Sequence, residues 1–266
     1  MTFRYFFALC LLWSTAAGLL GCGAGGGGQE TPKPETTTPL VQAGVYYDNS
    51  SGHDFWGVIT PSNRWFALNY KTPYPDIYAG PLTGAGTTQA AVAALTYQNS
   101  TNTFLVGSAS ITSPGPGQLA GALSLITTPS IQPVTFNATS PSGFNYNLAA
   151  DLSALSGNWS GKLSSNMGEF GVFNISIAGD TGSLSHTGNF GACQWRGANA
   201  QVAPLSGVNL FALKLQLEHA TLCNPHLDGQ TLNGVAFVTP GTGQTRRLIW
   251  VATTSEGYAL SFQAER

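Results

Sequence analysis

The sequence predicts an all-β protein built from two tandem antiparallel β units, small barrels or sandwiches, that follow a disordered tether. Three observations predict this fold class. From position 44 onward, short apolar runs recur roughly every 8–12 residues between clusters of Gly, Pro, Asn and Ser, the spacing typical of sandwiches and barrels. Glycine contributes 33 of the 266 residues, and glycines in strands mark bends and close backbone approaches. Helical patterns are few.

The predicted strands carry one apolar face and one polar face. In the segment 211–217, every second residue from Phe211 to Leu217 is aromatic or aliphatic, and the residues between them are mostly polar. The segments 173–177 and 258–262 alternate in the same way. Alternation of this kind is typical of antiparallel sheets, which bury one face and expose the other to water.

The chain divides near its middle. The clearest helical segment, 149–155, is short and ends before Gly157. We expect it to join a first β unit at 44–148 to a second β unit at 149–266. Similar segments open both units, Gly44-Val-Tyr-Tyr and Gly157-Asn-Trp-Ser-Gly, and each is followed by a hairpin-like pair of strands. A single larger sandwich or barrel is the alternative organisation.

Residues 1–21 have the features of an export signal. One cation, Arg4, precedes an apolar run that is shorter than a comfortable membrane span. The run ends in Leu19-Leu20-Gly21-Cys22, which resembles the lipobox of bacterial lipoproteins. The resemblance implies cleavage after Gly21 and acylation of Cys22, and two or more acyl chains anchor a protein stably. The alternative is an ordinary cleaved signal that leaves Cys22 free.

Residues 22–43 are predicted to form the tether. This stretch is rich in Gly and then in Pro and Thr, so it cannot bury enough apolar surface to fold. Gly23 follows the lipobox cysteine, and in the lipoprotein family this implies sorting to the outer membrane of a Gram-negative bacterium. We therefore expect an exported protein that is held to a membrane by its lipid anchor.

The cysteines agree with export. The chain has four; Cys10 leaves with the signal peptide and Cys22 takes the lipid. The remaining pair, Cys193 and Cys223, is predicted to form one disulfide in the oxidising compartment.

Two metal sites are alternatives to simpler structures. His219, Cys223 and His226 have spacings that a metal could use, but a metal there would leave Cys193 unpaired, so the disulfide is favoured. The segment Asp48–Asp54 could bind calcium, but its Asn, Ser and Gly residues also favour a plain hairpin turn. No metal or other cofactor is expected.

Charge and motifs argue against two function classes. The chain has ten basic and twelve acidic residues. A nucleic-acid partner is not expected, because binding phosphates requires a clustered basic surface. No Gly-x-Ser-x-Gly elbow occurs, and the nearest look-alike, around Ser160, is interpreted as a bent strand with Trp159 in the core. Acidic residues are scattered singly, and His186 is interpreted as an exposed turn residue. The protein is therefore predicted not to be an enzyme.

Aromatic residues are dense between positions 44 and 80. Trp65 and Phe66 are adjacent in a predicted strand, so their rings point to opposite faces. If one face is uncovered, an aromatic ring is exposed, and exposed Trp and Tyr anchor interfaces. Trp56, Trp65 and Tyr70 are the candidate ligand-binding residues. The alternative is a two-layer fold that buries both faces.

The general layout resembles that of tandem β-barrel surface lipoproteins, such as transferrin-binding and factor H-binding proteins. The resemblance rests on the lipobox, the Gly-rich tether and the strands interrupted by glycines. This resemblance implies an anchored, non-enzymatic protein that binds another macromolecule, a protein or a glycan, through its β units. Two alternatives stay open at this stage. One is a structural lipoprotein that supports an envelope complex from the periplasm, and the other is an envelope hydrolase.

Overall fold

The computed structural model describes residues 41–50, 54–70, 76–84, 89–98, 103–125, 134–165, 170–190, 193–194, 196–218 and 228–266. Within these ranges the chain forms strands throughout, apart from one short helix and the connecting turns. The strands make two antiparallel barrels in tandem. This confirms the predicted all-β fold class with two units, and the alternative of one larger sandwich or barrel is wrong.

The first barrel is closed, and each strand pairs antiparallel with the next one along the chain. The circle closes where β1 meets β8, with Tyr47 opposite Thr139. Its eight strands are β1 (Gly44–Asp48), β2 (Asp54–Ile59), β3 (Arg64–Tyr70), β4 (Asp76–Thr83), β5 (Gln89–Gln98), β6 (Thr103–Thr112), β7 (Gln118–Leu125) and β8 (Val134–Thr139).

The second barrel begins after the helix α1 (Leu152–Leu155). Its strands run in the order β10-β9-β17-β16-β15-β14-β13-β11, with β12 at the edge, and the pairing of β10 with β11 closes the sheet. Their bounds are β9 (Gly157–Ser165), β10 (Phe170–Ile177), β11 (Ser183–Phe190), β12 (Cys193–Gln194), β13 (Arg196–Pro204), β14 (Phe211–Glu218), β15 (Thr231–Pro240), β16 (Arg246–Thr253) and β17 (Ala259–Glu265).

Large side chains fill the first barrel. The ring of Phe55 stacks on that of Phe136 with centroids 4.5 Å apart, and the Trp65 ring lies 6.0 Å from Phe136. Gly57 makes room for this packing, because a Cβ there would come within 3.2 Å of the Trp65 indole. Aromatic pairs at such distances add to the stabilisation from burial alone.

The second barrel encloses its own core, and the predicted alternation accounts for it. Phe211, Leu213 and Leu215 are buried in the interior, as the sequence pattern predicts. The rings of Trp250 and Phe262 stack there at 5.8 Å. The short helix α1 also matches its prediction: the Asp151 side chain accepts a hydrogen bond from the Ser153 amide at 2.9 Å and starts the helix.

A third apolar cluster lies between the barrels. Outward-facing side chains from β1 to β4 pack against outward-facing side chains of β15, β16 and β17. At its centre the Trp56 ring lies 5.7 Å from the ring of Phe237. Strands that take part in this inter-barrel core are buried on both faces, as in the fully buried run Leu248–Thr253.

Candidate functional site

A polar cleft opens beside the inter-barrel core, where the β2–β3 hairpin of the first barrel faces strands β13, β14 and β15 of the second. Its volume is about 290 Å³, near the lower end of the range for small-molecule sites. It is lined by Thr60, Ser62, Arg64, Phe66, Gln201, Ala203, Leu205, Ala212, Leu213, Lys214, Asn233, Gly234 and Val235.

The wall from the first barrel is a braced hairpin turn. The Thr60 hydroxyl lies 3.0 Å from that of Ser62 and accepts a hydrogen bond from the Arg64 amide at 3.1 Å. Asn63 adopts the left-handed conformation with φ 56°, and its carbonyl accepts from the Leu82 amide at 2.8 Å. Because the turn is bonded both internally and to β4, it presents Ser62 and Arg64 from a fixed backbone.

The wall from the second barrel is a row of polar side chains on three adjacent strands. Gln201 pairs with Lys214 across β13 and β14, and Lys214 pairs with Asn233 across β14 and β15. Directly opposite residues share a face of the sheet, so the three side chains stand side by side, and all three residues are exposed. The neighbouring row toward the first barrel is apolar and includes Val235, which belongs to the inter-barrel core.

The cleft therefore combines two cations with neutral hydrogen-bonding groups. Arg64 and Lys214 line it, and the described residues that line it include no Asp, Glu, His or Cys. The Arg64 guanidinium also lies 5.1 Å from the centroid of the Phe66 ring, which steadies its position. Such a surface can bind a polar ligand through amide, hydroxyl and cationic donors.

A second polar cluster links the two barrels at the other side of their interface. Asp54 accepts a hydrogen bond from Gln263 at 3.3 Å, and Arg247 donates to Glu265 at 2.7 Å. These side chains surround a space of about 210 Å³. Burial lowers the pKa of Arg247, but the hydrogen bond and charge of Glu265 outweigh it, so that pKa stays above its ordinary value. Arg247 and Glu265 form an ion pair here, and Asp54 bonds the neutral Gln263 of the other barrel, so these side chains hold the two barrels together as a structural contact.

The three predicted binding residues lie in or near the cores. Trp65 is 0% exposed inside the first barrel, and Trp56 is 2% exposed in the inter-barrel core. Tyr70 donates from its hydroxyl to Ser261 of the other barrel at 3.1 Å, and burial raises its pKa above the ordinary value. A buried ring offers no surface to a ligand. The expected exposed ring is therefore not found at Trp56 or Trp65, because the second barrel and the first barrel's own interior cover the two faces.

Other predicted residues have mixed outcomes. Trp159 is buried in the second barrel, which confirms the interpretation of the Ser160 segment as a strand with a core tryptophan. The exposed-turn interpretation of His186 is wrong: this residue lies in β11, half-buried, with its ring 6.1 Å from Phe173. Asp48 accepts hydrogen bonds from the Ser50 amide and hydroxyl, as a turn residue does.

The lipidation and disulfide predictions fall on residues outside those described. Cys22 and Cys223 lie outside the described ranges, as do His219 and His226, and nothing is described of the Cys193 side chain. The acylation of Cys22 and the disulfide between Cys193 and Cys223 stay predictions. Within the described ranges, no group of three or more His, Cys, Asp or Glu is placed to hold a metal ion.

Sequence reasoning missed Arg64 and Lys214. Lys214 stands on the polar face of an alternating strand, and Arg64 follows a turn, so each is typical of an exposed position when taken alone. Only the docking of two barrels brings them to one cleft. A charge count offered a partial signal, since cations are scarce throughout this chain.

No protein-family model and no curated protein matches the chain. Among solved structures, the chain is similar to a protein of unknown function from the DUF3598 family of Nostoc punctiforme PCC 73102. The sequence identity is 11%, the match covers 84% of this chain and 96% of the other, and the TM-score is 0.28. At this level the likeness assigns neither a family nor a function.

Among the described residues, no helix has the length and apolar character needed to cross a membrane.

Proposed function

We propose that this chain is a lipid-anchored envelope protein that binds a glycan in the inter-barrel cleft without transforming it. One observation carries the proposal. The cleft combines amide and hydroxyl side chains from both barrels, among them Ser62, Gln201 and Asn233, with the exposed Ala203 and the half-buried Leu205. Sugars offer many hydroxyl groups together with apolar ring faces, so a mixed surface of this kind suits them.

A glycan fits better than a protein partner for a second reason. Among the residues whose side-chain burial the structure describes, the large hydrophobic ones that are exposed are Leu148 and Val172. Protein interfaces usually centre on a cluster of aromatic or other large anchors, and contiguous exposed apolar patches mark them. Two isolated side chains do not make such a patch.

The chemistry of the cleft supports binding without catalysis. General acid–base catalysis uses a carboxylate, imidazole, amine, phenol or thiol with a suitable pKa, and among the described lining residues Lys214 is the one such group. A serine nucleophile needs an adjacent base. Ser62 contacts the hydroxyl of Thr60, which is no base. The periplasmic structural role and the hydrolase remain the alternatives, and a hydrolase would have to use the exposed amine of Lys214.

The anchor is proposed from the lipobox at Cys22 and the tether at 22–43. Cells that express the full chain are grown with labelled palmitate and then fractionated. We expect label on the wild-type chain in the outer-membrane fraction and none on Cys22→Ala. An unlabelled wild-type chain, or label that survives in Cys22→Ala, contradicts the anchor at this residue.

Binding is tested with the full-length protein in detergent on a panel of envelope and host glycans. Ala203 lines the cleft and is exposed, so Ala203→Trp fills the cleft without changing its charge. Val172→Trp adds the same ring at an exposed position on β10, which does not line the cleft. We expect saturable binding that Ala203→Trp abolishes and Val172→Trp retains. Absence of binding to every glycan, or equal binding by both variants, overturns the proposal.

A further inference from the structure

We propose that the sugar held in the cleft carries an anionic group, a carboxylate or a phosphate, which binds between Arg64 and Lys214. This inference rests on the proposed function and deepens it, because it names the chemical class of the ligand. It is argued from the distribution of charge in the molecule and from the surroundings of the two cations.

Charge is rare in this protein, and the cleft concentrates one sign of it. Charged residues make up 8% of the chain, with ten cations against twelve anions. Two of the ten cations line a single cleft of about 290 Å³, and no carboxylate stands among the described residues around it. In a chain with a net charge of -2, such a local excess of positive charge favours anions.

The two cations are not neutralised within the described part of the chain. Arg247 forms an ion pair with Glu265, and neither of these residues lines the cleft. On the two strands beside β14, the residues directly opposite Lys214 are Gln201 and Asn233, and both side chains are neutral. Arg64 contacts the face of Phe66, and stacking leaves its N–H groups free for an acceptor.

The neighbouring groups suit an acidic sugar in particular. Arg64 and Lys214 line the same cleft from different barrels, and guanidinium and ammonium groups both donate strong hydrogen bonds to anionic oxygens. The amides of Gln201 and Asn233 stand on either side of Lys214 and can reach ring hydroxyls. The volume of the cleft is small for a drug-sized ligand, so we expect it to hold one acidic sugar unit of a longer chain.

The experiment compares three small probes on the full-length protein by ligand-observed NMR titration. The probes are glucuronic acid, its uncharged methyl ester, and glucose 6-phosphate, which separate carboxylate, neutral sugar and phosphate. The variants are Arg64→Gln and Lys214→Gln, with Lys162→Gln as the control because it removes one positive charge outside the cleft. Thermal melting verifies that each variant is folded.

We expect an acidic probe to bind at least about tenfold more tightly than the methyl ester, since hydrogen bonds to charged groups contribute more than neutral ones. Each cleft variant should bind the acidic probe about tenfold more weakly than the wild type does. Lys162→Gln should bind it as tightly as the wild type. Added salt should weaken binding, because the cations are exposed. The stronger of the two acidic probes identifies the carboxylate or the phosphate as the preferred group.

Other outcomes overturn the inference in distinguishable ways. If the methyl ester binds as well as the acids and Ala203→Trp abolishes that binding, the cleft holds a sugar without selecting for charge, and the proposed function stands alone. If acids bind equally to wild type, Arg64→Gln and Lys214→Gln, they bind elsewhere. If no probe binds and the glycan panel is also negative, the inference and the proposed function fail together.

Discussion

The guanidinium of Arg266 lies over the indole ring of Trp159, with its Cζ 4.1 Å from the ring centroid. Arg266 is held in place by two backbone hydrogen bonds with Arg246, of 2.8 and 3.0 Å. Beneath the arginine, the indole Nε1 donates to the Leu155 carbonyl at 2.7 Å. This arrangement ties the helix α1, the first strand of the second barrel and the end of its last strand to one another.

We expect Arg266→Ala to lower the stability of the second barrel by about 1 kcal/mol, since a cation over an aromatic ring contributes about that much at a partly exposed site. For a chain of this size the thermal midpoint should fall by about 2–4 °C. Calorimetry measures the shift. Lys214→Ala is the control, because Lys214 is also an exposed cation. A midpoint that is the same for Arg266→Ala and wild type contradicts a stabilising role.

The inter-barrel core makes a second prediction. Phe237 is 0% exposed between the barrels, where its ring lies 5.7 Å from Trp56 and 6.1 Å from Phe144. Truncation of a buried phenylalanine costs about 3–5 kcal/mol, so Phe237→Ala should weaken the docking of the barrels. We expect one cooperative transition in the wild type and two separated transitions in the variant, measured by calorimetry. Val172→Ala, at an exposed site, should keep a single transition, and a single unshifted transition in Phe237→Ala would show that the barrels dock by other contacts.

Two glycines provide a matched test of close backbone packing. Gly182 and Gly207 both have left-handed backbones, with φ of 66° and 75°. A Cβ on Gly182 would overlap the Val202 carbonyl oxygen, whereas a Cβ on Gly207 would meet nothing within 4 Å. In both alanine variants the left-handed backbone lowers the free energy of unfolding by about 1–2 kcal/mol. Gly182→Ala must also displace β13. We expect its urea midpoint to fall at least twice as far as that of Gly207→Ala. Equal losses would mean that the overlap is relieved at no cost.

The sequence predicts that the two barrels begin with similar segments. In the structure, each of these segments makes an equivalent hydrogen bond. Trp159, two residues after Gly157, donates to the carbonyl of Leu155. Tyr46, two residues after Gly44, donates from its hydroxyl to the carbonyl of Gln42 at 2.9 Å. In both cases the ring reaches back to the fourth preceding residue. Alternation and these short local contacts depend on neighbours in the chain, which is why the sequence predicts them.

Docking of the barrels depends on distant residues, so the sequence could not predict it. Alternation places one face of a strand in water, yet Ala259 and Ser261, on the polar side of the 258–262 pattern, are buried by the first barrel. The same contact removes Trp56 from the surface. It also sets Arg64 beside the row that contains Lys214. The docking contact that creates the cleft therefore also buries Trp56 and ties Tyr70 to Ser261, whereas Trp65 is buried in the interior of the first barrel.

His186 makes the stability of the second barrel depend on pH. Burial lowers its pKa below the ordinary value, so the folded state holds this imidazole neutral at pH values where the unfolded chain protonates it. The unfolded imidazole titrates near pH 6.5. The unfolded state then binds more protons below that pH, and stability is lost as the pH falls through and below about 6.5. Above it, the contribution is constant. We expect the thermal midpoint of the wild type to fall between about pH 7.5 and about pH 5.5, and the midpoint of His186→Phe to fall less. Thermal melts of both proteins across this range test the prediction, and parallel pH curves would assign the acid sensitivity to other groups.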